Sequence, residues 1–306
     1  MSRTVIYERF GGPEVLEVRE IEEPHAEPGE VRVRITAAAL NPVDWKMASS
    51  AEASEMFGGS LPSGFGNDFA GVVDEVGSGV DKFAVGDRVY GGVRSRAVAD
   101  YVTVKPGANT VKPIPAGIDD ATASTLLIAG NTASAAIHTI GVGKGDVVLV
   151  GGAAGGVGVF AVQIARHLGA RVIGTASPKS FEFLQGLGVE PVAYGEGLVD
   201  RVRELAPAGI TAAADLHGDE AANVAVELGV SPERISTIAA SPPEGAKATG
   251  GGDAPAGSLD KIAELILAGA LEVPIAATYP IEQIRDAVEL QSGGHVKGKV
   301  VVTMTD

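Results

Sequence analysis

The sequence predicts an α/β chain. A β-rich first part of short strands, arranged as a small barrel, gives way near residue 119 to a doubly wound parallel sheet. Three observations carry this. Short apolar runs between glycine-rich turns fill the first part. Beyond it, helix-like and strand-like segments alternate, as they do when helices cover both faces of a parallel sheet. Between Val147 and Ser177 an apolar run enters a glycine-rich turn, an amphipathic helix leaves it, and a second strand ends in a small polar residue. That is a βαβ unit shaped to hold a dinucleotide.

Taken in order, Val31–Thr36 alternates with period two, as a half-buried strand does. Gly71–Gly77, Gly86–Gly91 and Tyr101–Val104 are further short strands, and Pro24, Pro28 and Gly29 punctuate the first loops. Asp119 and Asp120 cap a helix expected over Ala121–Ile128, with a second over Thr132–Ile140. After the βαβ unit come a helix near Ser180–Leu187, a strand at Pro191–Tyr194, a helix near Leu198–Leu205 and an apolar run at Ile210–Leu216. A helix near Glu220–Leu228 precedes a strand at Arg234–Ala239. Residues 241–257, rich in Gly and Pro, read as a mobile surface loop of a length that lids also have. An amphipathic helix at Ser258–Ala268 follows, and the remaining residues return to strand-like character.

The turn reads Gly152-Ala-Ala-Gly155-Gly-Val-Gly158, with Ala154 where the strict G-x-G-x-x-G pattern has glycine. A Cβ at the glycines would hold the backbone away from a pyrophosphate. A helix beginning at about Gly156 would offer N–H groups and the positive end of its dipole to the phosphates. Gly152, Ala153, Gly155, Gly156, Val157 and Gly158 are therefore the candidate phosphate cradle. Where NAD sites carry an acid for the ribose 2′-hydroxyl, this chain reads Gly174-Thr175-Ala176-Ser177-Pro178-Lys179. Ser177 can donate a hydrogen bond and Lys179 a charge to a 2′-phosphate, so NADPH is expected over NADH.

Composition narrows the chemistry. The 306 residues carry no cysteine, which excludes disulfides, thiolate nucleophiles and cysteine-held zinc. The five histidines, at 25, 138, 167, 217 and 295, form no metal-binding spacing, so no metal is expected. A net charge of −15 and a pI near 4.8 speak against nucleic acid and anionic membranes as partners. No apolar run is long enough to span a bilayer and the first residues lack an apolar signal core, so a cytoplasmic location is expected.

Four segments together resemble the medium-chain dehydrogenase/reductase superfamily, in its zinc-free quinone oxidoreductase branch. They are Ala38–Lys46 with its Asn-Pro-x-Asp, Gly66–Val80 with Phe83–Tyr90, the Gly152–Gly158 turn, and Lys297–Val302. The turn is similar to the branch's own nucleotide loop, which lacks the middle glycine. The resemblance implies a Rossmann domain, residues 119–269, inserted into a GroES-like catalytic barrel made of residues 1–118 and 270–306. Zinc-dependent relatives carry Gly-His-Glu where this chain has Gly66-Asn67-Asp68. Without a Lewis acid, a conjugated acceptor is the easier substrate, since its remote carbonyl spreads the charge. The implied activity is NADPH-dependent hydride transfer to a small electrophile, a quinone or α,β-unsaturated carbonyl. The family often dimerises, so a homodimer is expected.

The same resemblance assigns roles. Asn41 matches the asparagine near nicotinamide and substrate, with an Asn-Pro turn as the alternative. Asp44 and Trp45 share its turn, and Trp45 could wall a flat acceptor or pack in the core. Tyr90 is the candidate proton donor, solvent the alternative. Thr132 matches a threonine facing the nicotinamide end. Tyr194 matches a tyrosine that helps Ser177 and Lys179 hold the 2′-phosphate, although the lysine stands one position early. Thr175 belongs to the same strand end, and Ile238 and Ala239 would approach the nicotinamide through backbone atoms. Asp68 and Asp87 read as structural turn residues. Two other readings stand beside this one. An enoyl-thioester or tailoring reductase would want a basic mouth for its carrier arm, and no basic cluster is evident. A non-catalytic NADPH-binding protein would need no aligned Asn41 and Thr132.

Overall fold

The computed structural model describes residues 1–107 and 110–304. In chain order it forms β1 (Ser2–Tyr7), β2 (Glu17–Ile21), β3 (Val31–Ala39), α1 (Pro42–Ser49), α2 (Ala51–Met56), β4 (Ser63–Gly64), β5 (Asp68–Val76), β6 (Arg88–Gly92), β7 (Tyr101–Val104) and β8 (Val111–Pro113). Then come α3 (Asp120–Ser124), α4 (Asn131–Thr139), β9 (Val147–Gly151), α5 (Gly158–His167), β10 (Arg171–Ala176), α6 (Phe181–Gly186), β11 (Glu190–Ala193) and α7 (Leu198–Leu205). β12 (Ala212–Asp215), α8 (Glu220–Glu227), β13 (Ile235–Thr237), β14 (Lys247–Ala248), α9 (Ser258–Leu267), β15 (Ile275–Pro280), α10 (Ile284–Ser292) and β16 (Lys299–Thr303) complete it.

Two compact units result: residues 1–128 with 275–294 and 299–306, and residues 129–274 with 295–298. In the first, β3 is the spine. Its alternation puts Val31, Val33, Ile35 and Ala37 into the core. Its first half pairs antiparallel with β5 on one side and β7 on the other; at Ala37–Ala39 the second neighbour becomes β16. β6 and β8 extend the sheet beyond β5, β15 beyond β16, and β1, β2 and β4 form a separate three-stranded sheet. The composition change near 119 lies ten residues before the unit boundary, because α3 stays with the first unit. Ala121 packs on Ala37, Ala39 and Val301, and Asp120 accepts hydrogen bonds from Thr36 and Arg88.

The single helix expected over Ala121–Ile128 is shorter. α3 ends at Ser124, and a π-helical turn, Leu126–Gly130, follows. Ser124 and Thr125 turn their hydroxyls back onto the carbonyls of Ala121 and Thr122, competing for the helix's own acceptors. The Ile128 N–H then goes to the Asp68 carboxylate instead of a helical carbonyl.

The second unit is built on six parallel strands in the order β11-β10-β9-β12-β13-β14. With β9 as the first strand this is the 3-2-1-4-5-6 order of a doubly wound sheet, reversing direction between β9 and β12. Leu149, Ile173, Ala213 and Ile235 project from one face into a cluster closed by α7 and α8 through Leu198, Val202, Ala222 and Ala225. The segment read as a mobile loop, 241–257, supplies β14, whose Ser236 and Thr237 partners give it a parallel neighbour. A 3-10 turn at Gly251–Asp253, closed by the Asp253 carboxylate on the Gly250 N–H at 2.9 Å, then lies against α4. Backbone pairing to β13, which the side chains do not announce, is what orders it.

Candidate active site

The loops at the carboxyl edge of the parallel sheet collect the dinucleotide-binding candidates. After β9, Gly152 adopts φ +67°, and a Cβ there would meet the His217 side chain at 2.8 Å. A Cβ on Gly158 would run into the Gly152 and Ala153 carbonyls, so only glycine lets α5 start against the loop. Gly155 differs, for its Cβ would find only the Gly152 carbonyl, at 3.4 Å. Ala154 fits where strict patterns have glycine because no left-handed backbone is required; among the described residues the non-glycines at positive φ are Ser95 and His295. α5 starts at Gly158, two residues later than expected, and its N-cap Val157 supplies no side-chain cap. The Val159 N–H is spent on the Gly155 carbonyl, so those of Gly156, Val157 and Gly158 are the donors an anion would meet.

Thr175 holds this loop in place. Its hydroxyl oxygen accepts from the Gly152 N–H and its carbonyl from the Ala153 N–H, both at 3.2 Å. It is buried, so it shapes the cradle from behind. Ser177, half-buried, and Lys179, exposed, follow β10 and, with Pro178 and His295, line a cavity of about 420 Å³. Tyr194 follows β11, half of its surface exposed, in a turn gathered by Arg201, which donates to the carbonyls of Ala193, Tyr194, Gly195 and Glu196. Ile238 and Ala239 follow β13. The Ile238 N–H is spent on the Asp215 carbonyl at 3.1 Å, which leaves its own carbonyl as the polar group it can offer. Thr132 opens α4, half-buried beside Gly251.

Asp215 was not singled out from the sequence. It ends β12 opposite Gly151, at the point where strand order reverses. Its buried carboxylate accepts N–H bonds from His217, Gly218, Ala221 and Ala222, fixing the loop over Gly152. An acid closing an apolar run just before a helix is the signal that could have found it.

In the first unit the catalytic candidates form a buried polar network. Asn41 stands two residues past β3 at the N-cap of α1, where its N–H donates to the Asp44 carboxylate and its backbone carbonyl accepts from the Asp44 N–H. Its Nδ2 donates to Asp68 at 3.0 Å and its Oδ1 accepts from Lys299 Nζ at 2.7 Å. Lys299 also donates to the Leu40 carbonyl at 2.9 Å. Asp44 accepts from the Asn41 N–H at 2.6 Å and from the Asn67 amide, whose oxygen accepts from the Ser95 N–H. Burial pushes the Asp44 carboxyl up to about 6, against the pull of the Asn41 and Asn67 donors. Burial also raises Asp68 and lowers Lys299, while their opposite charges resist both shifts.

This geometry corrects the roles expected of three residues. Asn41 is buried, its Nδ2 donating to Asp68 and, at 3.4 Å, to the Ala39 carbonyl while its Oδ1 accepts from Lys299, so it braces the turn and has no spare donor for a substrate oxygen. Asp44 is a buried cap. Tyr90 sits inside the sheet opposite Ala70 and Lys112, 2% exposed, which removes it from the place a proton donor to substrate must occupy. Trp45 on α1 is half-buried, with Lys46 Nζ 5.8 Å from its ring centroid. Its indole N–H is buried without a hydrogen-bond partner. Asp68 is a buried network member at the start of β5, whereas Asp87 does close a turn, accepting from the Ala84 N–H. Among the described residues, no group of three or more His, Asp or Glu is placed to hold a metal ion.

The alcohol dehydrogenase GroES-like domain matches residues 27–116, and the zinc-binding dehydrogenase domain matches residues 194–302. An NADPH-dependent alkenal/one oxidoreductase of Arabidopsis thaliana is 31% identical over 97% of this chain and 78% of its own length. The chain belongs to the medium-chain dehydrogenase/reductase superfamily, in its quinone oxidoreductase branch. A quinone oxidoreductase of Pseudomonas aeruginosa is 36% identical over 67% of the chain, a match that spans 63% of that enzyme. The solved quinone oxidoreductase of Coxiella burnetii superposes with a TM-score of 0.83 at 27% identity, covering 99% of both chains. As a superfamily member, the chain combines the GroES-like and Rossmann-type parts that its sequence predicts. Among its described residues, no helix is long and apolar enough to cross a membrane.

Proposed function

We propose that this chain is a zinc-independent reductase that takes hydride from NADPH to a quinone or an α,β-unsaturated carbonyl. The observation that carries the reading is the carboxyl edge of the parallel sheet. There a backbone cradle open at Gly155 stands one strand away from Ser177 and Lys179, with no acid between to claim a ribose hydroxyl. The relative from Arabidopsis, named for NADPH and for alkenals and enones, supports the same reading, as does the quinone oxidoreductase from Pseudomonas.

The pyrophosphate would lie on the N–H groups of Gly156, Val157 and Gly158, in a loop that Thr175 keeps in shape and in which the Gly155 N–H turns back onto the Gly152 carbonyl at 3.0 Å. Gly152 and Ala153 form its inner wall. Ser177 and Lys179 would hold the 2′-phosphate, with Tyr194 beside them on the next strand end. Thr132, the Ile238 carbonyl and Ala239 would orient the nicotinamide, which when bound supplies the hydride. In the first unit, Asn41 and Asp44 set the direction of α1 and so of Trp45, whose ring could wall a flat acceptor. Asn67 stands where zinc relatives have histidine, and its amide is committed to Asp44 and Ser95. Activation of the acceptor then rests on hydrogen bonding to a conjugated oxygen, which a quinone or enone tolerates and a simple ketone does not. Cytoplasmic residence and a homodimer belong to the same proposal; light scattering tests the latter.

The test is NADPH oxidation, followed by absorbance, with benzoquinone, phenanthrenequinone, an alkenal, an alkyl enone and crotonyl-CoA, each repeated with NADH and with a chelator. Chelator-insensitive turnover that prefers NADPH is expected, with a quinone or enone favoured. Crotonyl-CoA as the preferred acceptor would move the assignment to the enoyl-thioester reading. Equal use of NADH, or no turnover with any acceptor, would overturn the proposal.

A further inference from the structure

Resting on that cofactor reading, we infer that His295 is a third side chain of the 2′-phosphate subsite and sets the preference for NADPH over NADH together with Ser177 and Lys179. Nothing in the sequence pairs His295 with these residues, more than a hundred positions earlier. The fold does so by returning a late piece of chain, residues 295–298, to the nucleotide-binding unit although the residues on both sides of it belong to the other.

The segment is pinned. The Gly298 N–H donates to the Ala154 carbonyl at 2.9 Å, which ties it to the glycine loop. Gly298 is buried at φ +95°, where a Cβ would strike the Pro274 carbonyl, so no other residue fits there. Three residues earlier His295 stands at φ +67°, in the left-handed region that non-glycine residues rarely adopt. Such a conformation persists where the surrounding structure over-determines it, and such residues cluster at ligand clamps. Here the backbone brings His295 to the cavity lined by Ser177, Pro178 and Lys179.

The donor set matches one chemical class. Residues that carry a hydroxyl, an ammonium and an imidazole line one cavity of about 420 Å³, and none of its four lining residues is acidic. In a chain of net charge −15 this is a local exception. A phosphate monoester uses all three donors, whereas a bare ribose hydroxyl accepts from two at most and carries no charge to pair with the ammonium. The cavity also lies where a 2′-substituent would have to be. β10 leads from beside the glycine loop directly to Ser177, as the second strand of a dinucleotide fold leads to the ribose.

Dissociation constants for NADPH, NADH and adenosine 2′-monophosphate, measured by calorimetry without any acceptor, test this. His295→Asn removes the imidazole but keeps a residue that tolerates the left-handed backbone. His295→Arg replaces it with a permanent charge. Asn is expected to weaken NADPH and adenosine 2′-monophosphate about tenfold and leave NADH unchanged. Arg is expected to bind both phosphorylated ligands at least as tightly as the wild type. If the wild type prefers NADPH and both variants bind it within about twofold of wild type, His295 has no part in the subsite and the cofactor reading stands. Equal weakening of NADPH and NADH would assign His295 to loop structure and also overturn the inference. If the wild type binds NADPH and NADH alike, the cofactor reading fails first.

Discussion

Lys299→Met isolates what the buried network contributes. The substitution keeps an unbranched side chain of similar length but deletes the ammonium. Two charge-assisted bonds go with it, to the Asn41 amide oxygen and the Leu40 carbonyl, each worth roughly 1.5–3 kcal/mol. Leu40 retains a donor in Gln291 Nε2, so Asn41 is the group left short. Relief of the lysine's desolvation offsets part of the loss. Against that, Asp44 and Asp68 lose the cation that opposes their burial. Removing one member of a buried charge arrangement typically costs about 3–5 kcal/mol. At about 2–4 °C per kcal/mol for a unit of this size, the melting transition should fall by about 6–20 °C. The single tryptophan, Trp45, reports on this unit by fluorescence. Adding Asp68→Asn, which removes the uncompensated negative charge while keeping an acceptor for Asn41 and Ile128, should recover at least half of the loss. A single variant within about 1 kcal/mol of wild type, or a double variant whose losses merely add, would refute the reasoning.

Three further outcomes are expected. Asp44 holds its proton up to about pH 6 when folded, against 3.8 for the ordinary carboxyl. Its contribution is therefore fully present below pH 3.8 and is lost as pH rises through 6, by up to about 3 kcal/mol. Denaturant titrations of wild type and Asp44→Asn across that range should show the wild type losing ground as pH rises, and a pH-independent difference would reject the assignment. Gly155→Ala should leave the melting temperature unchanged but weaken NADPH binding, because space exists for the methyl only while no phosphate lies on the loop. Gly158→Ala should harm both, by an amount that calorimetry reads directly. Thr175→Val deletes the acceptor for the Gly152 N–H, and should lower stability by about 1 kcal/mol and weaken both dinucleotides together; a loss confined to NADPH would place Thr175 in the phosphate subsite instead.

Periodicity made most of the second unit legible. The helix at Leu198–Leu205 and those starting at Glu220 and Ser258 lie where their apolar spacing placed them, because each buries one stripe against a sheet that needs covering. β14 was hidden, since two residues in a Gly/Pro-rich stretch pair through backbone alone. The polar network was hidden for another reason. Asn41, Asp44 and Asp68 were visible as a motif, but a motif does not say whether its polar atoms face substrate or each other. Lys299 decides that, and it reads as an ordinary charge beside a strand until β16 is laid against β3. His295 became meaningful only once chain path was known.

The way β3 is paired bears on the order in which the molecule can be made. Ala37–Ala39 lack a neighbour on one edge until β16 arrives, and the lysine that joins Leu40 stands 259 residues downstream of it. During synthesis the parallel-sheet unit, apart from residues 295–298, is complete before β15 and β16 have left the ribosome. The first unit must meanwhile wait as a partial sheet, with its long-range closure still unpaid in loop entropy. Its half-finished edge, flanked by three alanines and two buried acids, is the part of the nascent chain with most need of a chaperone. A stalled or truncated chain that ends before Lys299 should thus yield a folded nucleotide-binding core attached to an aggregation-prone β-rich unit.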